Sequence, residues 1–191
     1  VADYTIVDLA PAGEAAIQQA ALILLTASAG HSPAWPDMDA ALREVREACE
    51  PGRIARIAIT PESRALGWIG GIEQYDGHVW ELHPLMVAPA WQGRGIGRAL
   101  VQDFEEQVRQ RGCETVFLGT DDEDNRTSLS GIDLYDDLWG HIRQIRNLRG
   151  HPYEFYQKMG YAIVGVIPDA NGPGRPDILM AKRVGVGLAT G

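Results

Sequence analysis

Between Val87 and Leu100 the chain places Gly93, Gly95 and Gly97 together with Arg94 and Arg98, after an apolar run and at the start of a helical pattern. A helix start leaves amide donors unpaired and carries a partial positive charge, so a turn without side chains there lets phosphate oxygens approach the backbone. The spacing excludes two nucleotide-binding loops. No G-x-x-x-x-G-K-[ST] occurs, and Gly95-x-Gly97 meets Leu100 where a dinucleotide fingerprint needs its third small residue. A second reactive pair precedes the turn. Glu81 and His83 flank Leu82, so an extended strand points carboxylate and imidazole to one face, as a proton-accepting pair or as a solvated cross-strand pair.

The turn needs a strand before it and a helix after it, and the pattern supplies both. Ile96, Ala99, Leu100, Phe104 and Val108 line one helical face, which Gly112 ends. Upstream, the sequence predicts a short strand over Tyr4–Leu9, a helix over Gly13–Ala27, a breaker-rich loop over Gly30–Pro36, and a helix over Asp37–Glu50. Asp37 is the N-cap of that helix and Pro51-Gly52 its stop. Strands over Arg53–Thr60, Leu66–Tyr75 and His78–Val87 form an antiparallel meander, with Asp76-Gly77 as a two-residue hairpin turn. Glu114–Leu118 arrives after a helical crossover and therefore lies parallel to the strand ending at Val87. A helical stretch over Ile132–Arg146, a short helix over Pro152–Met159, and strands over Tyr161–Ile167 and Asp177–Arg183 complete the chain, with Asp169–Pro176 a surface loop. The fold class is α/β, a mixed sheet flanked by helices.

Composition narrows the partners. A chain of 191 residues, 45% hydrophobic, reads as one domain able to bury roughly 70% of its unfolded surface without a metal or disulfide staple. The net charge of -9 makes a phosphate-tracking basic surface a poor expectation, so no nucleic acid partner is expected, and cationic small molecules are favoured weakly. Cys49 and Cys113 form neither a zinc motif nor a disulfide framework. No apolar run reaches membrane-spanning length and no leader pattern opens the chain, so no membrane partner is expected and the expected location is cytoplasmic. Asp121–Asn125 has a calcium-loop flavour, but Arg126 stands where such a loop needs glycine, so no metal is expected.

Gln92-x-x-Gly95-x-Gly97 resembles the acyl-CoA pyrophosphate loop of the GNAT superfamily of N-acetyltransferases. The run His151-Pro152-Tyr153-Glu154-Phe155-Tyr156-Gln157-Lys158-Met159-Gly160-Tyr161 resembles that superfamily's later tyrosine motif. The segments Trp80–Leu85, Leu118–Asp122 and Gly165–Gly172 are similar to aminoglycoside 6'-N-acetyltransferases, as is the insert between Asp122 and His151. One departure is the asparagine that often precedes the tyrosine helix: Gly150-His151 stands there, with Asn147 further back, which leaves one pantetheine contact unassigned.

The resemblance implies a central, mostly antiparallel sheet with a splayed parallel strand pair, and acetyl-CoA as co-substrate without a metal. It places the bulge of the splayed strand at His83-Pro84-Leu85, where Pro84 removes a ladder donor. It puts the cofactor on Leu85, Met86 and Val87 and on the turn residues Gln92, Gly93, Arg94, Gly95, Ile96, Gly97 and Arg98. Tyr156 then lies near the thioester sulfur as proton donor; its other reading is a core aromatic, since Tyr153, Tyr156 and Met159 share a helical face. The amine attacks directly in a ternary complex, Glu81 and His83 lie beside it, and an amide near Leu85 or Met86 meets the oxyanion. Glu81 acts there as base or only positions the amine. A polycationic acceptor calls for acids and aromatic walls, and Trp35, Asp37, Glu81, Asp121 and Asp122 are the expected contacts, with Asp169 and Asp177 bracketing a nearby loop; each acid alternatively sits in a solvated loop. Related enzymes often pair, so a homodimer is expected. Two other functions stay open: acetylation of a polyamine or protein amine, and a non-catalytic acyl-CoA sensor.

Overall fold

A computed structural model describes residues 3–29, 34–185 and 187. The start of the expected breaker loop, Gly30–Pro33, lies outside the described residues. In chain order the elements are β1 (Thr5–Asp8), α1 (Glu14–Ser28), α2 (Met38–Ala48), β2 (Arg53–Ile59), β3 (Ala65–Gln74), β4 (Val79–Val87), α3 (Ile96–Gln110), β5 (Thr115–Asp121), α4 (Leu138–Arg143), α5 (Tyr153–Lys158), β6 (Ala162–Ile167) and β7 (Asp177–Arg183). The seven strands run in the order β1-β2-β3-β4-β5-β7-β6, mostly antiparallel, with β4 and β5 the parallel pair. Glu114 and Thr115 donate their amides to the His78 carbonyl at 3.0 and 3.2 Å, so β5 starts level with β4. The residues group into two compact units, one running to Val116 and resuming at Val184, the other Phe117–Arg183. Among the described residues no helix is long and apolar enough to cross a membrane.

In the first unit, α1 and α2 cover one sheet face. Ala20, Ala21, Leu24, Ala41 and Val45 are buried there with Ile57 and Trp68, and small residues on α1 let the helix sit close to its neighbours. Asp37 caps α2 as expected, accepting the Ala40 amide at 2.8 Å. On the other face Phe104 of α3 lies so close over Gly71 that an added Cβ there would overlap its ring. Arg56 ties strand to helix: its guanidinium donates to Asp103 at 2.7 and 3.1 Å and to Asp8 at 2.6 Å. The β3–β4 connection differs from the expected two-residue turn. Gln74 pairs with Val79, and Tyr75, Asp76 and Gly77 all take left-handed φ values of 50°, 54° and 83°, so the loop spends residues on either side of the Asp-Gly signal.

The bulge falls where the resemblance placed it. Ile69 pairs with Leu85 and Gly71 with Leu82, so the single residue Gly70 opposes both His83 and Pro84. A Cβ on Gly70 would overlap the His83 carbonyl oxygen and come within 3.3 Å of the Pro84 ring. Glycine is required here by backbone against backbone, which cannot swing aside as a side chain would.

In the second unit, only α4 forms within the stretch expected to be helical over Ile132–Arg146. Asp133 accepts the Tyr135 amide at 3.0 Å and Asp137 accepts the Gly140 amide at 3.0 Å, so side chains take backbone donors that a continuous helix would need. After α4, Thr127 bridges Asn147, and Ser128 and Arg146 exchange hydrogen bonds at 3.0 Å, which draws the chain into an extended pairing. β6 and β7 pair antiparallel from Ala162–Ala181 to Ile167–Asp177.

Gly70→Ala should lower the unfolding free energy by about 1–3 kcal/mol, the usual cost of forcing atoms into a filled space. Urea unfolding checks this, and a variant as stable as the parent would mean that β4 can shift without loss.

Candidate active site

β4 alternates buried Trp80, Leu82 and Pro84 with half-buried Glu81, His83 and Leu85. Glu81 pairs with Ile72 in the ladder, and its carboxylate lies 3.5 Å from the Gln74 amide nitrogen. His83 stands on the bulge, its Nε2 3.6 Å from Glu44 Oε1 and its ring 6.3 Å from that of Trp35. The Trp35 indole N–H donates to the other Glu44 oxygen at 3.3 Å. Trp35 and His83, expected from different segments, are therefore joined by a glutamate the sequence reading passed over. The signal for it was present: Glu44 falls at helical spacing among the buried Ala41, Val45 and Ala48, a position where an acid needs partners.

Leu85, Met86 and Val87 continue β4 along Ile69, Trp68 and Gly67. Past Val87 the chain turns through Pro89–Trp91, and the Gln92 amide ties the turn back to the Val87 carbonyl at 3.1 Å. Gly93 and Gly95 adopt φ values of 71° and 87°, and a Cβ built on either would meet nothing within 4 Å. These glycines are needed for backbone conformation, and the space above them is open. Gly95 is the N-cap of α3 and contributes no side-chain cap; the first intrahelical bond runs from Ala99 to Gly95, so the amides of Ile96, Gly97 and Arg98 stand ahead of it. Ile96 is buried and anchors the helix start, while Arg98 is exposed and Arg94 packs its guanidinium 4.8 Å above the Trp91 ring. Open backbone, helix dipole and an arginine packed on Trp91 together fit a diphosphate.

The second unit holds Tyr156, Asp121 and Asp122. Tyr156 is 8% exposed, packed edge-on against Phe155 and Tyr161 with ring centroids 5.0 and 5.7 Å away. Burial pushes its phenol far above the ordinary tyrosine range, so it holds its proton. Asp122 requires a correction. It is 0% exposed, and it accepts the Arg126 and Thr127 amides at 2.6 and 2.8 Å and the Ser130 hydroxyl at 2.6 Å. Burial alone would raise its carboxyl, but these donors outweigh it and hold the group below the usual range. Its oxygens are spent on folding the 123–130 loop, so the expected role in contacting substrate does not fit it. Asp121 is exposed and hydrogen-bonds Asn171. Asp37, in the first unit, has one oxygen committed to its cap. Asp169 accepts the Gly174 amide at 2.6 Å and so shapes the loop, while the Asp177 side chain lies against Gly119 of β5.

Asn147, the displaced asparagine, has a local task. It accepts the His151 amide at 2.7 Å and donates to the His151 carbonyl at 2.9 Å. The His151 ring is 2% exposed; Nδ1 accepts the Tyr153 amide at 3.2 Å, which leaves the proton on Nε2, 3.0 Å from the Asp121 carbonyl. This clamp sets the start of α5 and so the placement of Tyr156. Among the described residues no group of three or more His, Cys, Asp or Glu side chains could hold a metal ion, and Cys49 and Cys113 are free thiols.

Residues 23–138 match the model of the acetyltransferase (GNAT) family. A crystal structure of an aminoglycoside 6'-N-acetyltransferase complexed with coenzyme A is 41% identical, with a TM-score of 0.86 over 94% of this chain and 97% of that one. The aminoglycoside 6'-N-acetyltransferase from Enterococcus faecium is 40% identical, with a TM-score of 0.85 and the same coverage. An aminoglycoside 6'-acetyltransferase type Ii is 36% identical, again over 94% and 97%, with a TM-score of 0.68. No curated protein matches the chain.

Burial lowers the His151 pKa, while hydrogen bonding to Asp121 works the other way. Protonation therefore favours the unfolded chain: the stability His151 contributes is present above its unfolded pKa of about 6.5 and is lost as pH falls through the lower folded value. Unfolding free energies measured between about pH 8 and pH 5 should fall more steeply for the parent than for His151→Gln. Parallel profiles would mean that the imidazole is not held neutral.

Proposed function

The chain belongs to the GNAT family of acetyltransferases, and from that premise we propose that it transfers acetyl from acetyl-CoA to the 6'-amine of aminoglycosides. The observation that carries the reading is the open, glycine-built start of α3 behind a bulged β4, in a chain about two-fifths identical to aminoglycoside 6'-N-acetyltransferases over nearly its whole length. The acyl carrier's diphosphate takes the Ile96, Gly97 and Arg98 amides with Arg94 beside them, and its pantetheine arm runs along Leu85–Val87.

Acetyl-CoA supplies the activated acetyl thioester. Glu81 or His83 removes a proton from the acceptor ammonium, and the freed amine attacks the thioester carbon. A β4 amide near Leu85 or Met86 stabilises the oxyanion, and the Tyr156 hydroxyl gives its proton to the departing sulfur. Burial keeps the phenol protonated and also makes it a weaker acid, so it hydrogen-bonds the sulfur and yields its proton only as negative charge builds there. Trp35 and Asp121 supply a wall and a negative charge for the polycation. The same reading takes the enzyme as a cytoplasmic homodimer.

Purified protein incubated with acetyl-CoA and kanamycin should release thiol and yield a product acetylated at the 6'-amine, located by NMR, with spermidine and a peptide amine as slower acceptors. Turnover confined to the peptide or the polyamine would overturn the aminoglycoside assignment, and coenzyme A binding without any turnover would favour a sensor. Tyr156→Phe should lower kcat by about a hundredfold while leaving coenzyme A affinity nearly unchanged; an unaltered kcat removes the proton-donor role. Gly95→Asp, which adds a charge and a side chain where φ is 87°, should weaken coenzyme A binding about tenfold or more by calorimetry. Intact affinity would place the diphosphate elsewhere.

A further inference from the structure

Glu44 is the residue the function above does not use. It lies on α2, its side chain 20% exposed, with one oxygen accepting the Trp35 indole N–H and the other 3.6 Å from His83 Nε2, an ion-pair distance rather than a hydrogen bond. Among the described residues no lysine or arginine is paired with it; its neighbours are two rings that belong to the acceptor end of the proposed site. The indole donates to Glu44, and the imidazole edge lies near enough for the carboxylate to favour a proton on the facing nitrogen electrostatically.

We propose that Glu44 is a positioning residue that sets the His83 tautomer and the Trp35 wall together. A carboxylate facing Nε2 favours the ring proton on that nitrogen, which leaves Nδ1 with the lone pair. His83 then presents Nδ1 as the proton acceptor for the incoming ammonium, while Glu44 stabilises the imidazolium formed when that proton arrives. The proton moves from the amine nitrogen to Nδ1, and the Nε2 proton stays against Glu44, so no further base is needed. The arrangement follows the general rule that a base is oriented by a third group. The same carboxylate fixes the indole beside the imidazole, so losing it loosens the wall against which the aminosugar packs. Strand alternation sets the imidazole on the face opposite Leu82, and the bulge begins at His83 itself, where His83 and Pro84 together oppose Gly70.

This inference rests on the acetyltransferase reading, so its test has one readout that needs no turnover. In the free protein near pH 8, 15N spectra with His83 assigned through His83→Gln should show a ring protonated predominantly on Nε2. Glu44→Ala should bring the two ring nitrogens toward an averaged tautomer and move the Trp35 indole resonance. Glu44→Gln, whose amide oxygen can still accept from the indole, should restore the Trp35 resonance but not the tautomer. Unchanged His83 nitrogens in Glu44→Ala would overturn the proposal, whether or not any acceptor is acetylated. In steady state with kanamycin, Glu44→Ala should raise the acceptor KM about tenfold, lower kcat, and leave the acetyl-CoA KM unchanged. An equal rise in both KM values would indicate general loosening of the fold and would also overturn it. A parent enzyme inactive on every amine, with the tautomer effect intact, would sink the proposed function while sparing the role of Glu44.

Discussion

The approach of the β4 backbone to Gly70 is the constraint on which the first unit's chemistry depends. Two residues of β4 stand against one of β3, and no side chain fits between them. That extra residue lets Leu82 stay in register with Gly71 while Leu85 returns to pair with Ile69, and His83, on the face opposite Leu82, meets Glu44 of α2. β3 meets the requirement with glycines at successive close contacts. Gly67 lies under the Met86 carbonyl, Gly70 under the bulge, and Gly71 under the Phe104 ring, so the strand is shaped by what it must not carry. Glycine inside a strand is costly in conformational entropy, and close backbone approach is the reason such a strand persists.

The second unit achieves rigidity by another route. Its insert lacks long helices, and polar groups hold it instead, a buried Asp122 at the centre with the half-buried Arg126 and the exposed Arg149 at the rim. Asp122 gathers the donors of Arg126, Thr127 and Ser130, Arg126 reaches the Arg149 and Gly150 carbonyls, and Arg149 reaches those of Asp124 and Asn125. The Asn147–His151 exchange completes the closure just before α5. A satisfied polar network specifies a single loop conformation, since each group left unpaired in the interior would cost desolvation.

Much of this was legible in the sequence. Periodicity gave the strands of the meander and the face of α3, because burial on one side enforces the period. Asp37 announced itself as a cap, Pro84 pointed to the broken ladder, and β7 begins and ends at Asp177 and Arg183 as read. Side-chain competition with the backbone was harder to see. Asp133, Asp137 and Ser128 cut the expected 132–146 helix short because their oxygens take or supply bonds locally, which apolar spacing does not register. Asp122 looked like its exposed neighbour Asp121; only the tertiary path of the 123–130 loop makes one an interior anchor and leaves the other outside. Glu44 was hidden for the opposite reason, as one acid among several on a charged helix, distinguished only by Trp35 and His83, which reach it from outside that helix.

The stacking of Arg94 on Trp91 has a thermodynamic consequence. A long cationic side chain on an open loop ordinarily samples many rotamers, and freezing it when an anion arrives costs on the order of 1–2 kcal/mol of entropy. Contact with the indole, worth about 0.5–1 kcal/mol at an exposed site, biases the guanidinium toward one placement and so shifts part of that ordering penalty from anion binding to folding. The exposed turn thus combines open glycine backbone with a charge whose placement is biased beforehand.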